Sequence, residues 1–457
     1  MMRNVLLLWL LAGLAGCAVG PDYHRPAVET PAAYKEFQSW KPAQPQDQMS
    51  RGNWWEIYGD ATLNGLMLQV AVSNQSVIAA AAQYRQALAL LDAAISGFSP
   101  TVSGGPSSTR SYSGSSKSAI TTSDSLSLNS SWEMDVWGRI RRLVEANRAY
   151  AEASAADLGA VTLSMQALLA QSYMQLRVAD AQYSLLQQTV IAYQSSLQIT
   201  RNLYEAGTVS NLDIELANTQ LKSTQAQMID IGVLRAQLEH AIALLIGKAP
   251  ADFSLASNNT LPVLPAMPVS VPSALLERRP DIAAAERRIA AANAEIGVAQ
   301  AAFYPSLILN ASGGYQGNNF ANLLSVPNRF WALGPSLIGT IFDGGLLNAQ
   351  KAQAVAAYDM SVANYRLIVL TGFQEVENNL ATLRILKQEI ELEQEAAKSA
   401  KNVLQITNNQ YQAGTVSYLN VVLAQVTSLT ADSTSLSLVG RDLLASVGLL
   451  TALGGNW

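Results

Sequence analysis

Two stretches of the chain alternate apolar and polar residues with a period of two. Ser125–Val136 reads SLSLNSSWEMDV, with Leu126, Leu128, Trp132, Met134 and Val136 on one face. Ser127, Asn129, Ser131, Glu133 and Asp135 fall on the other face, as in a β-strand. Thr101–Tyr112 is its expected partner, a weaker strand with Pro106 inside it, joined by a Ser/Gly-rich loop over about Ser113–Ser123. A second pair is expected over Ser306–Gln316 and Phe330–Phe342. There Leu307, Leu309, Ala311 and Tyr315, then Trp331, Leu333, Leu337 and Ile341, share a face. Two-faced segments of this length fit a membrane β-barrel, and the strands alone also fit a two-sheet sandwich.

Elsewhere the pattern is helical. No proline occurs between Pro106 and Pro250, nor after Pro335, and long helices tolerate none in their interior. The spacing predicts two pairs of long helices, Arg139–Leu203 with Asn211–Ile246 and Leu346–Gln410 with Ser417–Leu453. The first member of each pair would run near ~98 Å, longer than globular helices and suited to coiled-coil hairpins. Each pair is joined by Ala-Gly-Thr-Val-Ser. Gly207 and Gly414 fit a C-terminal position of positive φ, and Ser210 or Asn211, and Ser417, fit N-caps of the return helix.

Those junctions belong to a duplication. Tyr204–Ala217 reads YEAGTVSNLDIELA and Tyr411–Ala424 reads YQAGTVSYLNVVLA, an offset of 207. Phe98-Ser-Pro100 returns as Phe303-Tyr-Pro305. The chain is therefore read as a signal segment 1–16, an extended segment 17–60, a first repeat 61–246 with strands at 101–136 and a hairpin at 139–246, a Pro-rich connector 247–273, and a second repeat 274–457 with strands at 306–342 and a hairpin at 346–453.

The N-terminus suggests a destination. Arg3 precedes the apolar run Val5–Leu14, too short to span a bilayer and read as a secretory signal. Leu14-Ala15-Gly16-Cys17 has the form of a lipoprotein cleavage signal, so Cys17 is the expected acylated residue; an ordinary signal peptide with a chance cysteine is the alternative. Ala18 in place of Asp fits outer-membrane sorting. Cys17 is the only cysteine, which excludes an intrachain disulfide. Charged residues are 14% of the chain, yet no later stretch holds 18 uncharged apolar residues, so helical membrane spans are not expected. The net charge of −5, with no basic patch, argues against nucleic acid.

Candidate chemistry is sparse. His24 and His240 are the only histidines, no Cys/His cluster suits zinc, and no Gly-x-Ser-x-Gly elbow occurs. Glu277-Arg278-Arg279-Asp281 is read as capping and salt-bridging a helix start after Pro280. Neither a metal nor a catalytic residue is assigned. Four strands cannot close a barrel, and an open sheet in lipid leaves backbone groups unpaired. Two copies give eight strands and a filled interior, whereas three give twelve strands and a lumen.

Several stretches together resemble the outer-membrane efflux proteins, the TolC-like outer membrane factors, and in particular their acylated, OprM-like branch. They are Asn53-Trp-Trp-Glu-Ile-Tyr-Gly-Asp60 with Leu63 and Leu66, Leu276-Glu-Arg-Arg-Pro-Asp-Ile282, Trp132-Glu-Met-Asp-Val-Trp-Gly-Arg139 with the weaker Phe342-Asp-Gly-Gly345, and both tip motifs. The resemblance covers nearly the whole chain. It implies a mainly α protein with membrane β: a homotrimer with a 12-stranded barrel, four strands per chain, a periplasmic α-barrel and a mixed equatorial belt. It implies a passive duct partnered by a periplasmic adaptor (membrane fusion) protein, an inner-membrane efflux transporter and outer-membrane lipid, with no cofactor beyond lipid on Cys17. Tip contacts with the adaptor would involve Gly207, Thr208, Gly414 and Thr415. The periplasmic gate would involve Tyr418, Asn420, Val416 and Asp213, because the family's two aspartate positions fall here on Asn420 and Leu423. Arg201 and Tyr204 could hold a closed state or simply lie at the surface. A structural or adhesive outer-membrane lipoprotein, and a lipoprotein enzyme, are the rival readings.

Overall fold

The computed structural model describes residues 18–27, 35, 53–114, 119–262, 264 and 279–455. Cys17 and its cleavage signal, Leu276–Arg278 and most of 263–278 lie outside the described residues. The helices are α1 (Ala61–Ser73), α2 (Gln75–Ser96), α3 (Arg139–Glu205), α4 (Asn211–Leu245), α5 (Pro280–Ala301), α6 (Leu346–Gln412) and α7 (Tyr418–Ala452). The strands are β1 (Thr101–Ser113), β2 (Ala119–Met134), β3 (Ser306–Gly317) and β4 (Arg329–Ile338). The duplication holds to the residue in the helices: α3 and α6 are both 67 residues long, and α4 and α7 are both 35.

The chain forms two compact units, each drawing on both copies of the repeat. One comprises 1–28, 83–155 and 284–367 and holds the sheet; the other comprises 29–82, 156–283 and 368–457. The sheet order is β1-β2-β3-β4, antiparallel throughout. Most of the stretch expected as a loop over Ser113–Ser123 is strand: β2 begins at Ala119, where it pairs with Ser113 of β1. Serine and threonine there read as loop formers, but cross-strand pairing with a long β1 decides their conformation. β4 stops at Ile338 rather than Phe342. Pro106 sits in β1, an edge strand, where a missing ladder donor is tolerated.

The two helix-to-strand junctions are each held by an indole of the first copy. Phe98-Ser-Pro100 lies between α2 and β1, and Phe303-Tyr-Pro305 lies between α5 and β3. The indole of Trp132 donates to the Phe98 carbonyl (3.0 Å), and that of Trp137 donates to the Pro305 carbonyl (2.9 Å). Trp137 also stacks on Tyr304 at 4.7 Å. At the following turn Asp135 caps α3 through the amides of Ile140 (2.8 Å) and Arg141 (2.9 Å). Asp343 does the same for α6 through the amides of Gly345 and Leu347, both at 2.8 Å. Those amides hold the Asp343 carboxyl below its usual pKa. The N-terminal segment crosses this junction: Val19 donates to the Trp137 carbonyl, and the buried Arg142 bonds the Val19 and Gly20 carbonyls and the Asp22 carboxylate.

The second unit has a continuous apolar core. Trp54, Trp55 and Tyr58 in a 3₁₀ turn pack with Leu63 and Met67 of α1, Leu169, Tyr173 and Leu176 of α3, Ile242 of α4, and Leu443, Val447 and Leu450 of α7. Asp60 caps α1 and accepts from Tyr173, whose hydroxyl is pushed up to about 12, first by burial and then by this carboxylate. The start of the connector docks through Asp180, which is only 1% exposed. Asp180 accepts from Arg177, Arg235, Ser257 and the Asn258 amide, so the buried charge is fully paired. Arg279 precedes α5, as read from the sequence, and binds Asp281 and Glu375. Burial opposes its charge, but the two carboxylates outweigh that and raise its pKa.

Three helical stretches, 61–96, 139–205 and 418–452, are long and apolar enough to cross a membrane by length and composition. They reach that average without any run of 18 uncharged apolar residues. Their hydropathy comes from Ala, Val and Leu spread among Ser, Thr and Gln, and α7 buries Tyr418, Leu438, Leu443, Val447 and Leu450 against protein.

Candidate functional site

The sheet register sorts every strand residue onto one of two faces. Leu128 stands opposite Gly104 and Gly313, Trp132 opposite Leu309, and Leu309 opposite Pro335. One face therefore carries Val102, Leu126, Leu128, Trp132, Met134, Leu307, Leu309, Trp331, Leu333 and Leu337 across all four strands. Most of these side chains are uncovered, with Trp331 82% exposed and Val102 68% exposed, while Trp132, Leu307 and Leu309 are half-buried. An apolar area this broad in water marks a surface with a partner. The other face holds Ser103, Ser107, Thr121, Ser125, Ser127, Asn129, Asn310 and Ser312. Thr101, Ser103, Asn129, Asn310, Ser312 and Gly334 line a hollow of about 400 Å³, so the sheet is concave on its polar side. Both outer strands leave a ladder edge open, β1 on one side and β4 on the other.

The helical tips are built alike. In the first, the Gly207 amide donates to the Tyr204 carbonyl and the Thr208 amide to the Leu203 carbonyl. In the second, Gly414 donates to Tyr411 and Thr415 to Gln410. This is a Schellman termination, with glycine in the left-handed region at φ 73° and 75°. The Thr208 and Thr415 hydroxyls bond the same two carbonyls at 2.8 and 2.9 Å. A Cβ on either glycine would meet nothing, so φ alone demands glycine there. Ser210 and Ser417 stand at the N-cap positions, but neither hydroxyl makes a capping bond. The Ser417 hydroxyl instead accepts from Asn420 at 3.3 Å.

Behind the tips lies a compact cluster that the sequence reading missed. Val190, Tyr193 and Leu197 of α3, Ala217 and Leu221 of α4, Tyr411 of α6, and Tyr418 and Val421 of α7 are buried together. Tyr418 is 1% exposed, meets Tyr411 edge-on at 5.1 Å, and shares a hydrogen bond with Ser196 at 3.1 Å. Burial pushes the hydroxyls of Tyr411 and Tyr418 up, so both stay protonated. Tyr418, expected among the gate residues, is thereby corrected to a packing residue: the seam Tyr418, Val421, Gln425, Ser428 turns it into the chain's own packing. Asn420 is exposed, beside Leu419 (52%) and Leu423 (58%). Val416 packs against the cluster from its edge, and Asp213 is half-buried. Arg201, Tyr204, His24 and His240 are exposed. Among the described residues no group of His, Cys, Asp and Glu could hold a metal ion.

A family described as "Outer membrane efflux protein" matches residues 66–248 and 271–455. A probable efflux pump outer membrane protein, TtgC of Pseudomonas putida, is 29% identical over 471 residues, covering 100% of this chain and 96% of that protein. The cation efflux system protein CusC of Escherichia coli is 30% identical, covering 97% of this chain and 96% of its own length. The solved structure of the outer-membrane channel OprN superposes with a TM-score of 0.87 at 30% identity, covering 96% of this chain and 100% of that one.

Proposed function

The chain belongs to the outer membrane efflux protein family, and on that premise we propose that it acts as a homotrimer forming the exit duct of a tripartite pump. The observation that carries this reading is the sheet: four strands, an uncovered apolar face, a concave polar face and two open edges. An unpaired edge in hydrocarbon costs several kcal/mol per group, so each β4 must find a β1 in another copy. Three copies close twelve strands around a lumen, with the apolar face against outer-membrane lipid.

The remaining assignments rest on the family's architecture. The duct is passive, and the energy comes from an inner-membrane efflux transporter. A periplasmic adaptor (membrane fusion) protein engages the duct at the tips, where Gly207, Thr208, Gly414 and Thr415 present two like-built ends. The start of α7 forms the gate: Asn420 and its exposed neighbours face outward from the hairpin, and Tyr418, Val416 and Asp213 set how firmly that hairpin stays docked. No catalytic step is assigned, nor any cofactor beyond lipid on Cys17, which adds a second tether beside the barrel. The test is the purified full chain in a planar bilayer, with its mass measured in detergent. A trimer that conducts ions is expected; a monomer, or a trimer without conductance, overturns the duct.

A further inference from the structure

We infer that the lumen-facing wall of the sheet is electrically neutral, because Arg139 neutralises Glu133, the one formal charge that the polar face carries among the described strand residues. The inference rests on the duct reading and specifies what that duct discriminates.

Register assigns the face residue by residue. Along β1 it holds the odd positions Thr101 to Ser113, and along β2 the odd positions from Thr121 to Glu133. Along β3 and β4 it holds the even positions, Ser306 to Gln316 and Phe330 to Ile338. These are Ser, Thr, Asn, Gln, Gly and a few apolar residues, and Glu133 is the exception. Its two carboxylate oxygens accept from the Arg139 Nε at 2.9 Å and a terminal nitrogen at 2.6 Å. This is the bidentate fork that arginine makes with a carboxylate. Water screens the pair, since its members are 27% and 40% exposed, but their charges still sum to zero. The other charges on the strands, Arg110, Asp124 and Arg329, lie on the opposite face, and so does Met134.

Rings of fixed charge are what make pores select cations or anions. A wall of hydroxyls and amides instead offers hydrogen bonds to either sign. The barrel section therefore sorts by size, and the substrates it suits are neutral or mixed-charge organic solutes. A metal-cation path would present carboxylate or thioether ligands, and this face presents neither in free form.

The measurement is the K⁺/Cl⁻ permeability ratio, from reversal potentials of the full-length protein in a salt gradient. Arg139→Gln should raise the ratio severalfold by unmasking three carboxylates per trimer, and Glu133→Gln should lower it by unmasking three guanidiniums. The double variant should return to the wild-type ratio. Ser127→Asp, higher on the same face, should raise the ratio without touching the helix start, and so serves if the Arg139 variants fail to assemble. A double variant that differs from wild type, or a Ser127→Asp channel with an unchanged ratio, overturns the neutral wall alone. A wild-type protein that passes no current overturns the duct and this inference with it.

Discussion

Replacing Tyr418 by alanine should release the second hairpin without unfolding the protein. The ring is 1% exposed, so its removal leaves a cavity in the tip cluster. Truncating a large buried aromatic costs about 3–5 kcal/mol, including the lost packing. Within that, the edge-on contact with Tyr411 contributes about 0.5–1.5 kcal/mol and the hydrogen bond to Ser196 about 1 kcal/mol. The other buried members of the cluster lie on α3, α4, α6 and the first turn of α7, far in sequence from the Leu443–Leu450 core, so the loss is local. At roughly tenfold per 1.4 kcal/mol, a loss of about 4 kcal/mol raises the undocked population about 1000-fold. Hydrogen exchange should accelerate over Tyr411–Gln425 and around Tyr193–Thr200, and resting single-channel conductance should rise. Tyr418→Phe keeps the ring and should behave nearly as wild type. Unchanged protection across Tyr411–Gln425 in Tyr418→Ala would refute the argument, because a buried ring cannot be removed without loosening its neighbours.

Three further outcomes are expected. Gly414→Ala should cost roughly 1–2 kcal/mol at the tip because φ is positive there while no atom obstructs a Cβ; with Gly207→Val and Gly414→Val together, the trimer should still assemble while drug resistance at normal expression falls, and undiminished resistance removes the tips from the adaptor contact. Wild-type protein from membranes should carry lipid on Cys17 by intact-mass measurement, lost in Cys17→Ser along with processing; an unlipidated wild type ends the lipoprotein reading.

The sequence revealed most where a residue type has few structural options. The period-two faces of β2 and β3, the tip glycines and the proline-free tracts were legible because barrel strands, positive φ and long helices each restrict composition sharply. The strand from Ala119 to Ser123 was not, since Ser and Thr serve a loop and the hydrated face of a barrel equally well. Tyr418 was misread for a related reason. Both sides of α7 near the tip mix apolar and polar residues, so proximity to the tip drew the ring toward the pore. The stripe Tyr418, Val421, Gln425, Ser428 was the available signal; the buried stripe of α4, Ala217, Leu221 and Thr224, matches Ala424, Ser428 and Ala431 of α7 instead, and those are buried too. The Glu133–Arg139 pair escaped notice because its members stand six positions apart and only the strand-to-helix turn brings them together.

The equal lengths of the paired helices bear on symmetry. In the proposed trimer, this chain would contribute to a ring of six nearly equivalent hairpin modules, the arrangement that a half-length ancestor would have reached as a hexamer. Fusing two modules into one chain lowers the true symmetry to threefold, and thereafter alternate positions in the ring are free to differ. They do differ at the tips: Tyr418 corresponds to Asn211, and Asn420 corresponds to Asp213. A sixfold ring can open only by moving every hairpin alike. A threefold one can keep three hairpins fixed as a frame while the other three swing.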